Sequence, residues 1–247
     1  MIPPRGTAGE VDRAWAELLR ATTPAAMREV LARYGADRVL LVSLLRRAVP
    51  LPALELMAFT APWSDEPRLL ASIVLSPRAS RPLGLRLVGS LLWRDLADVA
   101  SSPRVAAAVK IRAEAILKDQ LADLRLGEKI TLAKIATLPV LLPLLADVDA
   151  KVVEAGLNNP RLREEDVLTL LRADPPSRPV LEAVVASSKW RERYGLRLAI
   201  ALHPRAPLAL ALGQLTTLTS KDLARIADTA TLSPLLQAAA LRVAQSR

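Results

Sequence analysis

The sequence predicts an all-α protein built as an α-solenoid, a superhelix of short helix pairs, and three observations predict it. The 247-residue chain is 51% hydrophobic but 3% aromatic, so its interior is filled by Leu, Ala, Val and Ile. Ala and Leu lead the helix propensities, whereas aromatic and β-branched residues favour strands. Apolar residues also recur at helical spacing in short stretches separated by proline-containing turns, and strand alternation is hardly visible. Finally, the chain resembles itself at a displacement of 127 residues, the interval from Pro77 to Pro204.

Taken in order, the spacing predicts helices near residues 10–20, 24–34, 37–47, 52–60, 66–75, 79–91, 94–100 and 104–119. The second half continues near 127–136, 139–146, 150–157, 164–172, 178–187, 190–201, 206–216, 221–228 and 234–245. In the 104–119 stretch, Val105, Val109, Ile116 and Leu117 stripe one face while Lys110, Arg112 and Lys118 lie elsewhere on it. Helices this short are marginal alone and need neighbours to cover their apolar faces.

The displacement carries more than Leu and Ala, which compositional bias alone would match. Pro77-Arg78-Ala79 falls on Pro204-Arg205-Ala206, Asp95-Leu96-Ala97 on Asp222-Leu223-Ala224, Glu55 on Glu182, and Trp63 on Trp190. The chain therefore reads as one domain, 1–247, of two similar halves (about 10–120 and 125–247) joined near "KDQLADLRLGEKITLAK" with no flexible linker. A shorter phrase recurs inside the halves: "LSPRAS" at 75, "SSPRVA" at 101, "NNPRLR" at 158 and "LHPRAP" at 202. A polar residue followed by Pro predicts a helix start, with Ser76, Ser102 or Asn159 as cap, His203 less suited to that slot, and Pro at the first helical position.

The stretch "LLADVDAKVVEAGLNNPRLREEDVLTLL" (144–171) resembles HEAT-type repeats and their short bacterial relatives, the leucine-rich repeat variants. In these an Asp-x-Asp-x-x-Val phrase opens one helix and Asn-Pro-x-Leu opens the next. Asp147, Asp149, Val152, Asn159, Pro160 and Leu162 carry the likeness here, and Lys151 stands where such repeats more often have Arg. Residues 144–228 match best, and the first half follows through its similarity to the second. The resemblance implies a HEAT-like solenoid that binds other molecules.

Absent motifs exclude several chemistries. Without cysteine there is no disulfide and no thiolate nucleophile or metal ligand, and His203 is the one histidine, so no His-rich metal site exists. A histidine between Leu202 and Pro204 reads as a turn or cap residue, since a general base needs a positioned nucleophile and an orienting partner. No Gly-x-Gly-x-x-Gly, Walker loop, Gly-x-Ser-x-Gly or His-Glu-x-x-His occurs. No catalytic residue, metal or cofactor is expected. The N-terminus lacks the apolar core of a signal peptide, and the apolar run 135–146 falls short of the ~20 residues that span a bilayer. A cytoplasmic monomer that avoids membranes is the expectation.

The formal charge of +9 favours polyanions. Residues 1–124 hold 17 basic and 13 acidic side chains and residues 125–247 hold 17 and 12, so the excess is spread and forms no tail. Arg78, Arg104, Arg161 and Arg205 of the Pro-Arg phrases are the first candidate binding residues. Placed at a helix start, each would need a compensating partner, either a carboxylate of the adjacent repeat or a bound phosphate. Trp63 and Trp190 are the second candidates. Their duplicated position favours packing between helix pairs, with base stacking as the alternative, as on the concave basic face of some HEAT-like DNA glycosylases. No catalytic motif of those enzymes aligns with this chain. The proline-rich segments "RRAVPLP" (46–52) and "RADPPSRP" (172–179) occupy similar places in the halves and read either as binding loops or as rigid connections between helices that need no function. The expected function is non-enzymatic recognition of another protein along an extended groove. Nucleic-acid binding through arginine is the second reading, and a glycosylase the third.

Overall fold

A computed structural model describes residues 8–172 and 178–246. Among them the chain forms α-helices and short 3₁₀ turns and no strand. The helices are α1 (Ala8–Arg20), α2 (Pro24–Tyr34), α3 (Arg38–Leu45), α4 (Leu51–Phe59), α5 (Pro67–Val74), α6 (Arg81–Leu87), α7 (Trp93–Ser101) and α8 (Ala107–Gln120). They continue as α9 (Leu126–Ile135), α10 (Leu138–Leu145), α11 (Ala150–Leu157), α12 (Glu164–Leu171), α13 (Arg178–Ala186), α14 (Tyr194–Leu202), α15 (Leu208–Gln214), α16 (Ser220–Asp228) and α17 (Pro234–Gln245). Each expected helix has its counterpart. The candidate loop 172–179 is described only at its ends, because residues 173–177 lie outside the described set.

The helix starts differ from expectation at the Pro-Arg phrases. None of the four opens a helix; each forms the turn that leaves the preceding one. Ala79, Leu162 and Ala206 donate their N–H to the carbonyls of Ser76, Asn159 and His203 (3.0, 3.2 and 3.1 Å). These are β-turns with proline at the second position, where its fixed φ is equally at home. Side chains close the same turns: Ser102 Oγ accepts from Arg104 N (3.3 Å), Asn159 Oδ1 from Arg161 N (2.8 Å) and His203 Nδ1 from Arg205 N (3.1 Å). At these three phrases the polar residue two positions before the arginine thus organises a turn and caps the start of no helix. The true caps are Thr23, Asp37, Ser80, Asp149 and Thr219, whose side chains accept backbone N–H groups of the following turn. Two expected helices, 79–91 and 206–216, tighten at the end into 3₁₀ turns at Val88–Ser90 and Leu215–Thr217.

The chain folds as two compact units, Met1–Asp123 and Leu124–Arg247. Within each, a helix packs on its neighbour and on the next but one. In the first unit α1, α3, α5 and α7 form one row, α2 packs on α4 and α6 on α8. In the second, α9, α11, α13, α15 and α17 form one row and α12, α14 and α16 another. The bounds of α4, α6 and α7 and of the 3₁₀ turn Val88–Ser90, moved by the Pro77-to-Pro204 interval, coincide with those of α13, α15 and α16 and of the 3₁₀ turn Leu215–Thr217. Burial follows the same register. Val74, Val88, Leu91, Leu96, Val99, Val105, Val109 and Ala113 are buried in the first unit, as are their counterparts Ala201, Leu215, Leu218, Leu223, Ile226, Leu232, Leu236 and Ala240 in the second. Between α6 and α8 the approach is so close that a Cβ on Gly84 would lie 2.9 Å from Val109 Cγ2.

The turn from α10 to α11 carries the sequence's Asp-x-Asp phrase. Asp147 accepts from Lys129 Nζ of α9 (2.9 Å) and from Asp149 N (2.9 Å), and Asp149 in turn caps α11 through Lys151 N (2.8 Å). Burial pushes the Asp147 carboxyl up, but the hydrogen bonds from Asp149 and Lys129 outweigh it and hold the group below the usual carboxylate value. Among the described residues no helix is long and apolar enough to cross a membrane, and no group of His, Asp and Glu is placed to hold a metal ion.

A group whose pKa is depressed on folding stabilises the fold fully above its ordinary value, and that contribution disappears as pH falls through the folded value. Urea midpoints should therefore drop as pH falls below about 4, in part through Asp147. Lys129→Met should lower the midpoint at neutral pH and make that acid drop shallower. Parallel pH profiles for the two proteins would contradict the assignment.

Candidate functional site

Helices α12, α14 and α16 leave a cleft of about 530 Å³. Gly195, Leu198, Ala199 and Leu202 line it from α14, the helical spacing that puts four residues on one face. The opposite stripe of α14, Leu196, Ile200 and Ala201, is buried in the core. Leu168 of α12 completes an apolar floor, and three arginines surround it. Arg172 is the residue that ends α12, Arg205 belongs to the turn after α14, and Arg225 lies in the last turn of α16. His203 and Pro204 form the wall between them.

The electrostatics of this cleft are one-sided. No Asp or Glu is among the lining residues named above. Acids on the flanking helices are engaged elsewhere: Glu164 of α12 lies 3.7 Å from Arg193, and Asp222 of α16 accepts from Tyr194 Oη and from Thr219 Oγ1 (2.8 Å). Those two hydrogen bonds hold the Asp222 carboxyl below its ordinary value. Arg172 and Arg225 form no ion pair with any described residue. The negative end of each helix dipole favours Arg172 and Arg225, by about 0.3–1 kcal/mol per side chain.

The first unit repeats this chemistry between α3, α5 and α7. A cleft of about 450 Å³ is lined by Val42, Leu45 and Leu75, by Ser72, Ser102 and Pro103, and by Arg46 and Arg104. Arg46 ends α3 as Arg172 ends α12. Arg78 follows α5 as Arg205 follows α14, though it does not line the cleft. None of Arg46, Arg78 and Arg104 forms an ion pair with a described residue, and all three are exposed.

The four predicted arginines are thus divided. Arg205 and Arg104 belong to clefts, and Arg78 lies at the end of α5 between α3 and α7. Arg161 belongs to the other row, where Arg161 Nη1 donates to Ile135 O at the end of α9 (2.7 Å). The expected ladder of arginine–carboxylate ties is not formed by Arg78, Arg104 or Arg161 among the described residues. Sequence reasoning missed Arg46, Arg172 and Arg225. The first two open the segments "RRAVPLP" and "RADPPSRP", so a signal was there, but Arg225 has no motif around it.

The tryptophans are interior. Trp63 is 7% and Trp190 3% exposed, which leaves little of either indole for a ligand to stack on. Trp190 Nε1 donates to Leu157 O at the end of α11 (2.8 Å), and Lys189 Nζ lies 4.3 Å from its ring centre. Burial and nearby Arg193 hold that ammonium below the usual lysine value. Trp63 lies at the matching end of α2, against Gly35, where a Cβ would come within 2.7 Å of Nε1. Its indole nitrogen is buried with no hydrogen-bond partner. Asn159, fully buried, closes the end of α9 through Nδ2 to Ala133 O (2.8 Å) and Ala136 O (3.1 Å).

No family model, curated protein or solved structure matches the chain.

Asn159→Ala would strand two buried carbonyls and the Arg161 N–H, and should cost about 2–4 kcal/mol in urea unfolding. The tryptophans provide a paired comparison. Trp190→Phe should cost about 1–2 kcal/mol more than Trp63→Phe, because only the first breaks a hydrogen bond. Equal losses would show that the bond to Leu157 carries nothing.

Proposed function

We propose that this chain is a non-enzymatic binding module, an internally duplicated solenoid of HEAT-like helix pairs, whose grooves recognise another protein. Support for the duplication comes from the coincident helix bounds and the matched buried positions of the two units. Support for the repeat architecture comes from packing on the next helix but one, the pattern by which short helices cover one another in series. The observation that carries the function is the cleft of α12, α14 and α16, where an apolar floor is surrounded by Arg172, Arg205 and Arg225. An apolar centre with a polar, charged rim is the usual anatomy of a protein-binding patch. His203 fits a structural role, since Nδ1 is committed to the turn.

A photo-crosslinking side chain in place of Leu198 tests this. In lysate of the source cells it should trap a protein adduct that survives nuclease, and Arg172→Glu with Arg225→Glu should abolish the adduct. A nuclease-sensitive adduct would transfer the reading to nucleic acid. That second reading also predicts DNA affinity falling steeply as salt rises, which a groove with an apolar centre does not require.

A further inference from the structure

We propose that each unit holds its own docking site for an acidic segment of a partner protein, one whose carboxylates alternate with leucine-like side chains, so that one chain takes two such segments. This rests on the protein-binding reading and adds the partner's chemistry and the number of sites. The first ground is charge complementarity. The second unit's cleft presents Arg172 and Arg225 at its rim, the first unit's presents Arg46 and Arg104, and no acid is among the described lining residues of either. Guanidinium groups pair bidentately with carboxylates, and these four have no carboxylate partner among the described residues to displace.

The second ground is the floor. Leu198 and Leu202 in one unit, and Leu75 with Val42 in the other, are only partly covered by the protein itself. A purely electrostatic ligand would leave that surface in water, whereas an interleaved apolar side chain removes it, at ~25 cal/mol per Å² of apolar area buried. Phosphodiester chains offer charge without such side chains, which is why the floor favours a peptide over nucleic acid. The third ground is recurrence. Arg46 and Arg104 have Ala173 and Thr231 at the matching positions of the second half, and Arg172 and Arg225 have Leu45 and Asp98 in the first. The two clefts therefore reach the same composition from different residues, and their likeness is more than an inherited copy.

Titration calorimetry of the full chain with a Glu-rich peptide containing interspersed Leu tests the proposal, with an all-Glu peptide and single-stranded DNA as comparisons. The expected stoichiometry is two peptides per chain. Arg172→Glu with Arg225→Glu should leave one site, Arg46→Glu with Arg104→Glu should leave the other, and the quadruple variant should leave none, each reversal weakening its site by about tenfold or more. Circular dichroism of each variant should match the parent; if a double reversal unfolds its unit, Leu198→Asp and Val42→Asp remove the floors without touching the arginines. The all-Glu peptide should bind about tenfold more weakly than its Leu-containing counterpart. Equal binding of the two peptides, a stoichiometry of one, or tighter binding of DNA would overturn the proposal. If the crosslinked protein adduct persists while both peptides fail, protein recognition stands and the acidic chemistry is wrong.

Discussion

Short helices need neighbours, and in the second unit the ends of α9 and α11 are closed by the turns that follow α11 and α13. An α-helix leaves four carbonyls without partners at its C-terminus, and a helix of eight or nine residues spends a large share of its backbone that way. In the second unit the connecting turn of one helix supplies donors to the end of another in the same row. Asn159 and Arg161, beyond α11, bond the carbonyls that end α9. Trp190, beyond α13, bonds the carbonyl of Leu157 that ends α11. Side-by-side stacking there satisfies polar groups as well as covering apolar faces.

The same geometry explains where the arginines gather. In the rows that hold the clefts, Arg46, Arg78 and Arg104 follow or end α3, α5 and α7, and Arg172, Arg205 and Arg225 stand at the ends of α12, α14 and α16. Partial negative charge at the helix ends favours cations there. Arg46, Arg104, Arg172 and Arg225, which form no ion pair with a described residue, keep their donors available to a ligand. The apolar residues of α14 divide between core and cleft, so one helix both builds the fold and presents the floor.

Trp63 and Trp190 show how far duplicated packing goes. Both indoles lie buried at the end of the next helix but one, yet Trp190 makes the bond to a carbonyl and Trp63, against Gly35, leaves its nitrogen unpartnered. Shape is kept between the two places while the polar contact is not. The lock that Asn159 provides has no equivalent in the first unit, where Ala32 stands at the matching position.

The helices were legible in the sequence because apolar spacing is local: Leu196 and Ile200 mark their face within one helix, whatever surrounds it. The arithmetic of Pro77 on Pro204 and Trp63 on Trp190 likewise needs no coordinates. The role of the Pro-Arg phrases was not legible, since proline suits the first position of a helix and the second of a turn equally well, and only the bonds to Ser102, Asn159 and His203 choose. Nor was the cleft, for Arg172, Arg205 and Arg225 are scattered along the chain and meet because α12, α14 and α16 pack in a row. Sequence alone determined the helices and their self-similar order, because those follow from near neighbours. Tertiary structure decided which arginines converge and which serve as caps, because that depends on contacts between residues far apart along the chain.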